Sequence, residues 1–241
     1  MAAEKTTIAF DLYGTLLSTD SIAAALSHHF SLSLSAAGAL AALWRRYQLE
    51  YTWRINSMGI YRPFSLITLQ SLHHAVAESS LPPISDEDGV KLMKAYDSLS
   101  VFPEVPRALA NLADHVDAYV FSNGTYSMIS ASVNKSPDLN PSVFKGLLSI
   151  EDVEAYKPSR KAYEYILEQF GGKEERQNVW LVSSNPFDVI GAVGAGLKAV
   201  WVDRTGKGWV DRLGEVIGGD IKPTAVVKGV DEAVEEILGR S

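Results

Sequence analysis

Along the chain, short apolar runs rich in valine and isoleucine recur at Thr7–Leu12, Ala118–Phe121, Gly146–Ile150, Asn178–Val182, Ala199–Val202 and Ala225–Val227. Runs of this length with no polar alternation predict strands buried on both faces of a parallel sheet. Amphipathic patterns with a helical repeat separate the later runs, at Val105–Ala113, Arg160–Gln169, Phe187–Val193 and Asp231–Leu238. Strand and helix in alternation predict an α/β fold with a doubly wound parallel sheet, a Rossmann-like core. The region from Ser18 to Leu99 departs from this pattern. It holds no strand-like run and reads as helices near 21–30, 36–58, 64–79 and 86–97, broken at Pro63, Pro82 and Pro83. The expected organisation is an α/β core from residues 1–17 and 100–241, with a helical cap of residues 18–99 inserted after the first strand. Such a cap would lie over the carboxyl edge of the sheet, where open α/β sheets bind ligands.

Composition narrows the function classes. The formal net charge of −7 argues against a nucleic-acid partner, because such domains are usually basic. With no cysteine, neither a disulfide nor a thiolate metal site can form. No basic region precedes an apolar signal core, and no uncharged apolar run is long enough for a membrane span, so a cytoplasmic location is the expectation. A net-negative surface would not steer an anionic substrate inward, so an anionic substrate would need local cations.

Four segments fall at predicted strand ends. Asp11-Leu12-Tyr13-Gly14-Thr15-Leu16 closes the first strand, with Gly14 free to make a tight exit and Thr15 able to donate to the carboxylate. Ser122-Asn123-Gly124 offers a hydroxyl, an amide and backbone N–H groups to an anion. Lys157-Pro158 can place an ammonium beside Asp11. In Ser183-Ser184-Asn185-Pro186-Phe187-Asp188, Asn185 is a candidate helix N-cap and Asp188 lies in the first turn. Taken singly, each is also what an ordinary turn, a solvated lysine or a well-capped helix looks like. On a helix, Arg45 shares a face with Leu49, whereas Arg46 aligns with Glu50 as a solvated pair. The pairs His28-His29 and His73-His74 do not put two rings on one helix face, so they read as surface residues rather than metal ligands.

The order Asp, Ser, Lys, then a Ser/Asn/Asp cluster resembles the haloacid dehalogenase superfamily over nearly the whole chain. Phosphatases of that superfamily carry a second Asp two residues after the nucleophile, where this chain has Tyr13. They also carry an acidic magnesium cluster, where this chain has Ser183-Ser184-Asn185. The Asp11–Leu16 segment and the cap stretch beginning Leu43-Trp44-Arg45 are instead similar to the L-2-haloacid dehalogenases. Two positions depart from them: Arg46 stands where Gln is frequent, and Phe187 where Trp is frequent.

The resemblance implies hydrolysis of small 2-haloalkanoic acids to 2-hydroxy acids, with inversion at C2, through an ester on Asp11. It implies that Thr15 and Lys157 hold Asp11. Ser122, Asn123 and the Leu12 backbone N–H would bind the substrate carboxylate, and Arg45, helped by Asn123, would receive the halide. Ser183, Asn185 and Asp188 would orient Lys157 and a water, Tyr163 would support Lys157 or Asp11, and Tyr13, Leu49, Phe64 and Phe187 would form an apolar wall. It also implies no cofactor, no metal and a homodimer. The rival readings are a phosphatase of the same superfamily, and a non-catalytic protein that binds small acids on this fold.

Overall fold

The computed structural model describes residues 6–112, 116–172 and 177–240. Six strands, β1 (Thr6–Phe10), β2 (Val116–Ser122), β3 (Gly146–Ser149), β4 (Val179–Ser183), β5 (Lys198–Val202) and β6 (Ala225–Val227), form one parallel sheet. Their order is β3-β2-β1-β4-β5-β6. Every residue of β4 is buried, which accounts for its unbroken apolar run. The chain winds outward from β1 to one side, then returns to β4 and winds to the other. The carboxyl end of β1 is therefore the point where strand order reverses and a crevice opens. Asp11, the next residue, extends the ladder by donating its N–H to Val182 O at 3.0 Å.

The described residues also hold ten α-helices: α1 (Ala23–Phe30), α2 (Leu34–Ser57), α3 (Phe64–Glu78), α4 (Asp86–Tyr96), α5 (Val105–Ala110), α6 (Tyr126–Lys135), α7 (Arg160–Gln169), α8 (Pro186–Gly194), α9 (Leu213–Val216) and α10 (Val230–Leu238). The expected elements match within a few residues. The tail of the helix expected to reach Ala113 lies partly outside the described residues. Helix α6 was not expected. Its sequence, YSMISASVNK, contains three serines, yet Met128, Ile129 and Val133 fall on one face and are buried together with Ser132. Thr125 starts it by accepting the Met128 N–H.

The four helices α1–α4 all lie between residues 18 and 99, and this stretch contains no strand among the described residues. Its two ends are tied together. Leu17 pairs with Val101, Ser18 N–H donates to Ser100 O at 2.8 Å, and Phe102 N–H donates to Leu16 O at 3.1 Å. Helix α2 spans roughly 36 Å at 1.5 Å per residue, long enough to cross the whole crevice. Trp44 fixes it to α3 through Nε1 donating to Thr68 O at 2.8 Å.

Candidate active site

Asp11 is almost fully buried, and its two oxygens have different surroundings. Oδ2 accepts from Asn185 Nδ2 at 2.7 Å, Thr15 Oγ1 at 2.8 Å and Ser183 Oγ at 3.4 Å. Oδ1 has Lys157 Nζ at 3.2 Å. Lys157 is itself 1% exposed; its ammonium donates to Phe121 O and Asp188 Oδ2, both at 2.8 Å, and lies 4.1 Å from the Phe121 ring centre. One buried cation thus sits between two carboxylates. Burial pushes the Asp188 carboxyl upward, with Lys157 pulling the other way and Asp11 adding to the rise. Tyr163 donates to Asp188 Oδ1 at 2.8 Å, and burial drives its phenol well above the ordinary range.

Three expectations are corrected by these contacts. Tyr163 supports Asp188, and reaches Lys157 only through it. Ser183 and Asn185 grip Asp11 Oδ2, whereas Asp188 alone of that cluster holds Lys157. Asn185 does occupy the N-cap position of α8, but its side chain makes no capping bond, because it is committed to Asp11 and to Tyr13 O at 3.2 Å. A glycine at 191 makes this packing possible. A Cβ there would come within 2.5 Å of the Tyr163 ring.

Gly14 takes φ +90°, which a side chain resists, and turns the loop so that three successive carbonyls face polar donors. Tyr13 O accepts from Arg45 Nη2 at 3.2 Å, and Gly14 O accepts from Ser184 Oγ and Arg204 Nη1. Thr15 O accepts from Arg204 Nη2 at 2.7 Å. Arg204 is paired with Glu104 and stacks 3.5 Å from the Phe102 ring centre. Neither Arg204 nor Ser184 was expected from sequence, since nothing local marks a residue that bonds a backbone some 170 or more positions away.

Arg45 reaches the site from α2, as expected, and Arg46 pairs outside with Glu50 and Glu78. Arg45 is held by Gln48, which accepts from its Nη1 at 2.5 Å and donates to Thr68 Oγ1 at 2.8 Å. Gln48 is fully buried and was also missed. Asn123 Oδ1 accepts the Lys157 N–H at 2.9 Å, which sets it beside the lysine, and Ser122 Oγ accepts from Gly124 N–H at 3.1 Å. The Leu12 side chain lies in the core, which leaves only its backbone to face a ligand. Tyr13 packs between Phe64 and Tyr96, with ring centres 6.2 and 5.4 Å away, and its hydroxyl meets Ser132 Oγ. Leu49 is half-buried, one turn on from Arg45. Phe187 is half-buried and meets Trp53 edge-on at 5.4 Å. His74 corrects the surface reading. It is half-buried, stacked on Tyr47 at 3.7 Å, and bonded to the Tyr51 hydroxyl.

The donor set does not suit a divalent cation. The Lys157 ammonium already occupies the space between the two carboxylates, and the Tyr13 hydroxyl points to Ser132 rather than to Asp11. No group of three or more His, Asp or Glu side chains is gathered for a metal among the described residues.

Fold and site together define a doubly wound parallel α/β protein with a buried, cation-paired carboxylate at the end of its central strand. The model of the haloacid dehalogenase-like hydrolase family matches residues 5–196. An (S)-2-haloacid dehalogenase of Pseudomonas fluorescens is 33% identical over 92% of this chain and 92% of its own length. Haloacetate dehalogenase H-2 of Moraxella sp. (strain B) is 34% identical over 86% of this chain and 89% of its own. An L-2-haloacid dehalogenase structure from Xanthobacter autotrophicus, with chloropropionic acid covalently bound, superposes with a TM-score of 0.84 at 25% identity. It covers 98% of this chain and 100% of that one. The chain belongs to the haloacid dehalogenase-like hydrolase family.

Proposed function

We propose that this protein is an (S)-2-haloacid dehalogenase, hydrolysing small 2-haloalkanoic acids to 2-hydroxy acids with inversion at C2. The observation that carries the mechanism is the asymmetry of Asp11. Oδ2 is gripped by three side-chain donors, so Oδ1, with Lys157 as its countercharge, is the oxygen left to attack. The Oδ1–C2 bond forms as the C2–halogen bond breaks, and the halide leaves with the bonding pair from the opposite face. Arg45 and the Asn123 amide receive it. Ser122, Asn123 and the Leu12 N–H hold the substrate carboxylate, and Tyr13, Leu49, Phe64 and Phe187 wall the C2 substituent. Water then adds to Asp11 Cγ, near Ser183 and Asn185, and the Cγ–Oδ1 bond breaks. The hydroxy acid leaves with Oδ1, and the water supplies the replacement oxygen and releases a proton. Residues 18–99 act as the cap, with residues 1–17 and 100–241 as the core.

A single turnover in heavy-oxygen water tests this, with enzyme in excess over 2-chloropropionate. The label should enter the peptide containing Asp11, and the hydroxy acid should be unlabelled at C2. Label in the product with none in Asp11 would show direct attack by water. The superfamily's phosphatase chemistry has no carboxylate to use at Tyr13, and no observation favours a non-catalytic binder. The homodimer and the cytoplasmic location expected from the sequence belong to this same proposal. Light scattering checks the first.

A further inference from the structure

Asp11 is 6% exposed, so the substrate needs a way in. Two cavities touch residues of the site. The one beside Arg45, against Trp44, Gln48 and Tyr96, has about 180 Å³ of empty space but does not admit a water-sized sphere. The other holds about 540 Å³, within the roughly 300–1,000 Å³ typical of small-molecule pockets. Trp53, Asn56 and Ser57 from the end of α2 form one wall, and Pro158, Ser159 and Phe187 the opposite one.

The second cavity adjoins the nucleophile through the chain itself. Pro158 follows Lys157, and Phe187 lies two residues beyond Asn185; Lys157 and Asn185 are two of the four side chains that contact Asp11. Asn56 bonds both backbone groups of Tyr156, with its Nδ2 donating to the carbonyl at 2.7 Å and its Oδ1 accepting the N–H at 3.0 Å. That joint holds the end of α2 against the segment carrying Lys157. Trp53 lies eight residues beyond Arg45 and four beyond Leu49, on the same stripe of α2. The stripe therefore runs from Arg45 towards the cavity, and Trp53 and Phe187, whose rings meet edge-on, both line it. The cavity opens to solvent: Ser57 is exposed, and Trp53 and Leu213 are 38% and 41% exposed. Asp211 also lines this rim.

Resting on the dehalogenase reading, we propose that this chamber is the passage by which the haloacid reaches Asp11, and that the Trp53–Phe187 pair is its aperture. The wall is mainly aromatic and aliphatic, and Lys157 is the buried cation beyond it. A short acid can pass alkyl side first along the rings, with its carboxylate drawn on by that charge. The aperture then sets how large a C2 substituent is admitted, separately from the wall around C2.

The absence of cysteine allows a direct test, because Ser57→Cys introduces a unique thiol at the rim. Fluorescein maleimide on that thiol should lower kcat/KM for chloroacetate at least tenfold. A methylthio group on it should change kcat/KM less than twofold, as should fluorescein maleimide on Ser98→Cys, which is exposed and does not line the chamber. Equal kcat/KM for bulky and small labels at position 57 overturns the passage. Independently, Trp53→Ala should raise the ratio of kcat/KM for 2-bromohexanoate to that for bromoacetate about tenfold. An unchanged ratio overturns the aperture. If the unlabelled parent protein releases no halide at all, the dehalogenase reading itself has failed and the passage falls with it. That outcome is distinct from a blocked but otherwise active enzyme.

Discussion

Replacing Lys157 with Met keeps the length of the side chain and removes the ammonium. Two carboxylates then share a buried space with no cation between them. At an effective dielectric of about 20, contacts of 3.2 and 2.8 Å correspond to gross attractions of about 5 and about 6 kcal/mol. Desolvation of the ammonium offsets much of this, and breaking a buried pair by removing one partner typically costs about 3–5 kcal/mol. For a chain of 241 residues that is a fall in Tm on the order of 10 °C. Asp188→Asn should cost much less, about 1–2 kcal/mol. The amide can turn its oxygen to Lys157 and its nitrogen to the Tyr163 hydroxyl, which can accept as well as donate. The remaining Lys157–Asp11 pair is then neutral.

The double variant Lys157→Met/Asp188→Asn should be more stable than Lys157→Met alone, because it relieves a buried repulsion. Urea unfolding of the three variants measures this. Lys157→Met within about 1 kcal/mol of the parent, or strictly additive losses in the double variant, would refute the triad as described. The pH dependence has a definite sign. Burial already raises the Asp188 carboxyl, and Lys157 opposes the rise. Without Lys157 the folded-state value climbs further above the unfolded one. The folded state is then favoured at low pH and loses that support as pH rises through the raised value. The deficit of Lys157→Met should therefore shrink as pH is lowered from 7 towards 5.

Arg45→Ala should lower kcat/KM by about a hundredfold or more, the loss of roughly 3 kcal/mol expected for a buried ionic contact, whereas Arg46→Ala, which breaks an exposed pair, should cost about 1 kcal/mol or less. Equal effects in a halide-release assay would reverse the assignment of the two arginines. Exhaustive dialysis against EDTA should leave halide release intact; loss that magnesium restores would overturn the reading of the Lys157 position as the site's cation. Burial raises Tyr13 and Tyr163 above the ordinary phenol value of 10, so above pH 10 only the unfolded chain ionises them. Stability should then fall by about 1.4 kcal/mol per pH unit for each, and a urea midpoint unchanged between pH 9 and pH 11 would contradict it.

Much of the site was legible from order along the chain. An apolar strand ending in Asp11, a Gly-Thr exit and a later lysine were each ambiguous, and it was their order, through the family resemblance, that pointed to Asp11 and Lys157 as a carboxylate and its countercharge. Helical spacing told Arg45 from Arg46, because a face three or four residues apart is a local property. Other partnerships across the site were not legible. Tyr163 and Asp188 are 25 positions apart, Thr15 and Arg204 189, and Asn185 and Asp11 174. No repeat in the sequence connects them. One contact of helix α6 was hidden for a related reason: the buried Ser132 meets the hydroxyl of Tyr13, which the loop after β1 carries from 119 positions away.

By itself, the sequence determined the six strands and most of the helices, that the early helices interrupt the sheet, and which residue types ended each strand. Those features follow from side-chain periodicity and from chemistry within one or two turns. Only the tertiary structure decided that β1 lies between β2 and β4, and so that Lys157, Ser183 and Asn185 converge on one carboxylate and leave its Oδ1 the less encumbered oxygen. Strand neighbours are chosen by packing over the whole sheet and by crossover connections, a balance of many distant contacts that no local pattern records.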